Sequence, residues 1–366
     1  MLTRSWRLRA GPPGRVGAAG LDCGIVVNMD RSEREVEWEF FKKGAIVLFG
    51  VTLLQAALAG AYLAAFHAPS PRRVPVAVVG SKAVADHLSE AARGALSVRV
   101  VSDRAKAEHD IRSQQIYAAY VPGQPATVLV ASASGQSLAS SLPADFAAVS
   151  QALGTTQHTV DLAPLPAGDP RGLSIFYLAF SWVFGGYFGA VALNAVRGDR
   201  RFLRRNAATR IIGFLIFAVG GSLSTVTIAT FGVHAFPSGH YWTLAGLGAL
   251  TMFSVTMAAS ALISVLGTAG TALVIVLFVV LGTPASDGAV AIQLTGGGPW
   301  KILTSVLPTG VAVRAVRSGV YLSGVNLVQY VVTLLAYAAG GAAILLGLGL
   351  RNSSVGYAQK PADEPA

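Results

Sequence analysis

Few residues in this chain have the types and spacing to do chemistry. Cys23 is the only cysteine, so neither an intrachain disulfide nor a cysteine-based metal cluster can form. It reads as an inert thiol, because reactivity needs a microenvironment that lowers the thiol pKa. His234 and His240 stand six apart across a Pro-Ser-Gly turn and could share a metal ion, but no third ligand lies near them in sequence. No Gly-x-x-x-x-Gly-Lys-Ser/Thr run occurs, so the chain has no phosphate-binding loop of its own for ATP. Gly80-Ser81-Lys82 lacks the upstream glycine, and Gly296-Gly297-Gly298 before Pro299-Trp300 reads as a hinge. No catalytic residue, cofactor-binding residue or metal ligand is expected, and the chain is read as a non-enzyme.

One tetrapeptide invites more. Pro237-Ser238-Gly239-His240 resembles the middle signature of lipid-phosphate phosphatases, which also need a later histidine nucleophile backed by an acid. His240 is the last histidine of the chain, so that nucleophile is missing. The tetrapeptide is expected to make a turn capping the helix that follows.

The elements around these residues decide the class. Hydrophobic residues make up 53% of the 366 and charged residues 13%, with a mean hydropathy of +0.56. Soluble domains carry about a quarter charged residues, so an α-helical polytopic membrane protein is expected. Spans of about 20 apolar residues are read at Gly44–Phe66, Leu173–Val196, Ile211–Val233, Tyr241–Leu266 and about Leu327–Leu350; a fifth run in chain order, Thr268–Gly282, is shorter on its own and is expected to extend through Gly267 or a few residues past Thr283, making six in all. Residues 1–30 are expected to be a tail or a misassigned start, with Met29 an alternative initiator. Residues 31–43 are expected to form an amphipathic cytoplasmic helix at the membrane face, anchored by Lys42 and Lys43, and 351–366 a cytoplasmic tail.

Residues 67–172 turn polar between the first two spans. Strands are expected at Val74–Val79, Val98–Val101, Ile116–Val121 and Ala126–Ala133, and helices at 82–95, 103–115 and 136–153. The alternation predicts a small α/β domain with some parallel pairing. It holds nine basic and eight acidic residues, so the net charge of +10 arises elsewhere. Arg197, Arg200, Arg201, Arg204, Arg205 and Arg210 crowd the link between the second and third spans, which marks that link as cytoplasmic. Both termini then fall inside and the α/β domain outside, in the plasma membrane of a bacterium. The basic charge is thereby explained by topology, and no nucleic-acid partner is expected.

Between residues 173 and 350 the only acids are Asp199 and Asp287, both read as loop residues. Spans without acids offer no buried proton relay and suit hydrophobic cargo. Gly185 and Gly189 make a small-xxx-small pair suited to close helix packing or dimerisation. The stretch 284–325 is half apolar yet lies outside by parity, so it is expected to re-enter the outer leaflet as a helix pair kept against protein or water. Its candidate functional residues are Pro308, Gly310, Arg314 and Arg317.

The order of one span, an outside domain and five further spans resembles the ABC-2 type permeases, and more closely the phage-infection-protein (YhgE/Pip-like) branch of bacterial membrane proteins. The likeness covers about residues 36–350. It is carried by Val76-Ala77-Val78-Val79, Ile116 to Val121, Val130 to Ala133, the turn Gly282 to Ser286, and Leu307-Pro308-Thr309-Gly310 with Arg314, Arg317 and Tyr321. The resemblance implies a homodimeric permease subunit exporting a hydrophobic or lipid-like compound and driven by a separate cytoplasmic ATPase. Arg200, Arg201, Arg204 and Arg205 would occupy the loop that couples to it. The same arginines also suit topology enforcement and anionic lipid at the cytoplasmic face. A non-transporting surface scaffold or receptor acting through residues 67–172 is the alternative.

Overall fold

The computed structural model describes residues 31–67, 71–195, 207–295 and 299–357. Two compact units divide the chain, Met1–Leu53 and Leu54–Ala366. The first helix, α1 (Arg31–Phe66), is continuous through 36 residues, about 54 Å at 1.5 Å per residue. The separate membrane-face helix expected at 31–43 is therefore not distinct from the first span. Glu39 reaches Lys42 at 3.5 Å and Lys43 at 3.8 Å, one turn on, which supports the helix across the junction. Gly44 alone costs a helix only about 1 kcal/mol, too little to break it.

Strands β1 (Val74–Val79), β2 (Leu96–Val101), β3 (Ala118–Val121), β4 (Ala126–Val130) and β5 (Gln157–Asp161) form one sheet in the order β2-β1-β3-β4-β5. β1 is parallel to β2 and β3, β3 is antiparallel to β4, and β4 is parallel to β5. Side chains alternate across a strand, so Val74, Val76 and Val78 face a core with Leu88 of α2 (Lys82–Ala91) and Phe146 of α4 (Gln136–Ala152). Ala77 faces the opposite core with Ile111 of α3 (Arg104–Arg112). Asp110 of α3 is buried and pinned by Arg99 at 2.6 Å and Lys106 at 2.8 Å. β5 was not expected. Its sequence Gln-His-Thr-Val-Asp is mostly polar, as suits an outermost strand with two of its five residues exposed and none fully buried.

Five helices are long and apolar enough to cross a membrane: Trp38–Phe66, Ser174–Asn194, Ala208–Gly232, Ser238–Leu266 and Leu327–Leu348. This build fits a multi-pass membrane protein. The helices containing the last four are α5 (Ser174–Ala195), α6 (Ala207–Thr227, prolonged by a π turn to Gly232), α7 (Tyr241–Leu266) and α11 (Leu327–Tyr357). The fifth expected span is shorter. It comprises α8 (Thr268–Val274) and a π-helical continuation, Ile275–Leu281, together about 20 Å long against a hydrocarbon core near 30 Å. Gly267 turns the chain back at φ +63, and Gly270 then packs so closely on the Leu262 carbonyl that a Cβ would collide.

α7 is the hub on which α5, α6, α8 and α11 pack. Its hydroxyls tie it to neighbours: Thr256 Oγ1 donates to the Gly186 carbonyl of α5 at 3.0 Å, and Ser254 Oγ to the Leu334 carbonyl of α11 at 2.7 Å. Ser222 Oγ of α6 donates to the Ala245 carbonyl of α7 at 2.7 Å. Small residues permit this spacing; a Cβ at Gly341 of α11 would lie 2.5 Å from the Met257 backbone. Gly185 and Gly189 face Met252 of α7 and Phe217 of α6, so both serve packing within the chain.

Asp169 joins the sheet segment to α5. Its Oδ1 accepts from Leu173 N at 3.1 Å and its Oδ2 from Ser174 N at 2.9 Å, satisfying amides at the start of the helix. Burial raises its pKa above the usual 3.8 against the opposing pull of these bonds. The folded state therefore holds a proton that the unfolded state has released, and stability falls as pH rises through the window above 3.8. We expect Asp169→Ala to lower stability by about 1 kcal/mol in thermal melts of the detergent-solubilised protein. Asp169→Asn keeps an acceptor, and between pH 4 and 7 the wild type should lose stability relative to it. Parallel pH profiles would contradict the burial of this charge.

Candidate functional site

Between the π segment and α11 lie two short helices, α9 (Pro299–Val306) and α10 (Pro308–Val320). The residue before a proline disfavours helix, and Leu307 accordingly adopts φ −69, ψ 138, folding the two helices into a hairpin. Pro308 occupies the start of α10, where its missing N–H costs nothing. Gly310 meets the Thr304 and Ala285 backbones so closely that a side chain cannot fit. α10 packs on α5, α7 and α11, and Ala312, Val313, Ala315, Val316 and Val320 join Trp182 and Leu244 in one core.

The hairpin reaches far into the bundle. Residues just before α11 lie against the sheet and the end of α3: Leu322 packs with Ala77 and Leu129, Asn326 Nδ2 donates to the Ser113 carbonyl at 3.3 Å and Arg112 Nη1 to Ser323 Oγ at 3.4 Å. At the other end of the hairpin, Tyr337 OH donates to the Val306 carbonyl at 3.0 Å. Tyr337 is ten residues into α11, about 15 Å from its start. The tip at Val306–Pro308 therefore sits about 15 Å along the bundle from the sheet.

Arg314 and Arg317, one turn apart on α10, both point at Asp287. Arg317 Nη1 donates to Asp287 Oδ2 at 3.0 Å, and Arg314 Nε stands 4.0 Å from the same oxygen. Asp287 and Arg317 are buried, at 1% and 3% exposure. Asp287 Oδ1 accepts from Ile292 N at 2.8 Å, so both carboxylate oxygens are engaged. The aspartate takes a left-handed conformation, φ 57 and ψ 21, at the end of the Pro284–Ser286 turn, which an Asx side chain tolerates. Beside this pair, Gln293 Nε2 donates to Tyr117 OH at 2.6 Å, and the Gln293 carbonyl accepts from Arg72 N at 3.2 Å. Burial first, and the Asp287 charge second, push the Tyr117 phenol above its usual range, so it stays protonated. The loop 282–295 is thus clamped to the sheet through Tyr117 and to α10 through Asp287.

The other expected features fall as follows. Arg200, Arg201, Arg204 and Arg205 lie outside the described residues, as do the Gly296–Gly298 hinge and residues 1–30. Ser238–His240 forms a short 3₁₀ turn leading into α7. Among the described residues no group of three or more His, Cys, Asp or Glu is placed to hold a metal ion. Asp287 was expected as a plain loop residue, whereas it is a buried counter-ion. A sequence signal existed: after Asp199 it is the only acid before Asp363, while Arg314 and Arg317 stand in an apolar segment that demands one. Comparison with models of known families, with curated proteins and with solved structures finds no match.

Removing one partner of a buried ion pair strands the other charge and costs about 3–5 kcal/mol, whereas replacing both with apolar groups is often nearly neutral. Asp287→Ala should therefore lower thermal stability steeply. Asp287→Ala combined with Arg317→Met should recover at least half of the loss. A single variant as stable as the wild type would contradict the pair's burial.

Proposed function

We propose that this chain is the permease subunit of an ABC-2-like export system for a hydrophobic or lipid-like compound, driven by a separate cytoplasmic ATPase. The observation that carries this reading is the hairpin α9–α10, wedged about 15 Å into the bundle beside a broken helix. Transport folds place discontinuous helices at the substrate path, and irregular backbone at membrane depth persists only when protein or a cavity shields it. The four candidate spans after residue 173 contain no acidic residue, which favours apolar cargo over ions or protons.

In this reading the short fifth span, with the loop 282–295, makes its crossing in broken form, giving six in all. The sheet then lies outside a bacterial plasma membrane and both chain ends inside. α5 begins and α6 ends toward the sheet, where Gly168 meets the His234 carbonyl. Their opposite ends, which flank 196–206, would face the cytoplasm and present Arg200, Arg201, Arg204 and Arg205 to the ATPase or to anionic lipid. Two copies would enclose the export path. A surface scaffold or receptor is the second reading, favoured by the exposed outer strand β2, where Val100 is 47% exposed and an extended peptide could pair.

Affinity purification from gently solubilised membranes should recover an ATPase in near-equal amount. Replacing Arg200, Arg201, Arg204 and Arg205 with alanine should cut that recovery about tenfold, with membrane abundance unchanged. Recovery of this protein alone, or with envelope proteins only, would contradict the permease reading and favour the scaffold.

A further inference from the structure

The ion cluster on α10 does not balance. Arg314 and Arg317 together meet a single carboxylate, Asp287, whose two oxygens are already occupied by Arg317 and by Ile292 N. Beyond the 4.0 Å approach of its Nε to that carboxylate, Arg314 has one weak hydrogen bond, its Nη1 donating to Ser305 Oγ at 3.3 Å. The Nε atoms of Arg314 and Arg317 and Thr309 Oγ1 are buried without a hydrogen-bond partner. A buried N–H without an acceptor has lost its water and gained nothing in return, and the loss is greatest on a charged group. The surplus charge therefore calls for an acceptor-rich anion.

The surroundings say what kind. Arg314 keeps 20% of its side chain exposed, toward Ser305 of α9. Ser305 donates to the Lys301 carbonyl at 3.1 Å, so Lys301 stands one turn above it on the same face, and it is exposed. Lys301, Ser305 and Arg314 thus line one polar strip. Ile302 and Val306, each one residue further along α9, form an apolar strip alongside it and are 70% and 50% exposed. Cationic groups and bare apolar side chains therefore run side by side along the hairpin, the pairing that an amphiphile with an anionic head requires.

We propose that Arg314, with Lys301 and Ser305, binds the phosphate or carboxylate head of an anionic amphiphile whose apolar chain lies along Ile302 and Val306. This rests on the export reading only for the idea that the amphiphile is cargo. The binding itself stands apart from any ATPase.

The test is direct binding of dodecyl phosphate to the full chain in uncharged detergent, by microscale thermophoresis without an ATPase. Saturable binding is expected, weakened at least tenfold by Arg314→Gln, less by Arg314→Lys, and two- to fivefold by Lys301→Gln. Each variant is first checked for a monodisperse gel-filtration profile. Lys301→Gln, on an exposed helix face, decides the matter if Arg314→Gln does not fold. Millimolar inorganic phosphate should not displace the ligand; equal displacement would show a site for free oxyanions and overturn the amphiphile. No saturable binding, or folded variants that bind like the wild type, would overturn the site. Failure to recover an ATPase with binding intact would sink the export reading alone.

Discussion

A guanidinium buried in an apolar bundle must have a counter-ion, and this chain offers one. Asp287 supplies it to Arg317, and much of the sheet end of the bundle follows from that bond. The loop carrying Asp287 has to be drawn in between α10 and the sheet. Its next residues, Ala291 and Gln293, then reach the core around Tyr117. α10 must lie with its arginines toward that loop, which fixes the rotation of the helix and buries its opposite, apolar face against Trp182 and Leu244. A salt bridge of this kind is weak evidence for net stability, but it ties the placement of the loop to the rotation of α10.

The second constraint is backbone proximity around α7. In lipid, apolar side chains gain little from meeting one another, so helix association leans on close packing and hydroxyl bonds. α7 provides both, with Gly248 against Trp182 and Ser222 and with Ser254 and Thr256 bonded across to α11 and α5. The hub and the ion pair divide the work. One holds the full-length helices together, and the other locates the short fifth span and the hairpin beside them.

Much of this was legible in the residues, and the gaps have physical causes. The run Val74–Val79 stands out as a strand because its valines recur on alternate positions, and its bounds in the structure are the same. The spans at 174–194 and 327–348 stand out by length and hydropathy. β5 was hidden because a partly exposed outer strand has no apolar run to read. Thr268–Gly282 reads as a short run that could extend to span length, and composition does not report the turn at Gly267 or the end at Leu281 that stop it. Arg314 and Arg317 could be singled out from sequence, but their partner lies some thirty residues away in a loop, and only the fold brings the two together. The arginines at 200–205 were the plainest charge feature in the sequence and fall outside the described residues.

The central claim is that the hairpin sits at membrane depth while the sheet stands in water. Single cysteines placed at Ser102 and at Val306, with Cys23 replaced by serine, test it through labelling of intact cells by a membrane-impermeant maleimide. The account predicts rapid labelling at position 102. At position 306 it predicts no labelling by that reagent, but reaction with a lipid-soluble maleimide. Labelling of position 306 from outside as fast as position 102 would place the hairpin on the surface and contradict the account.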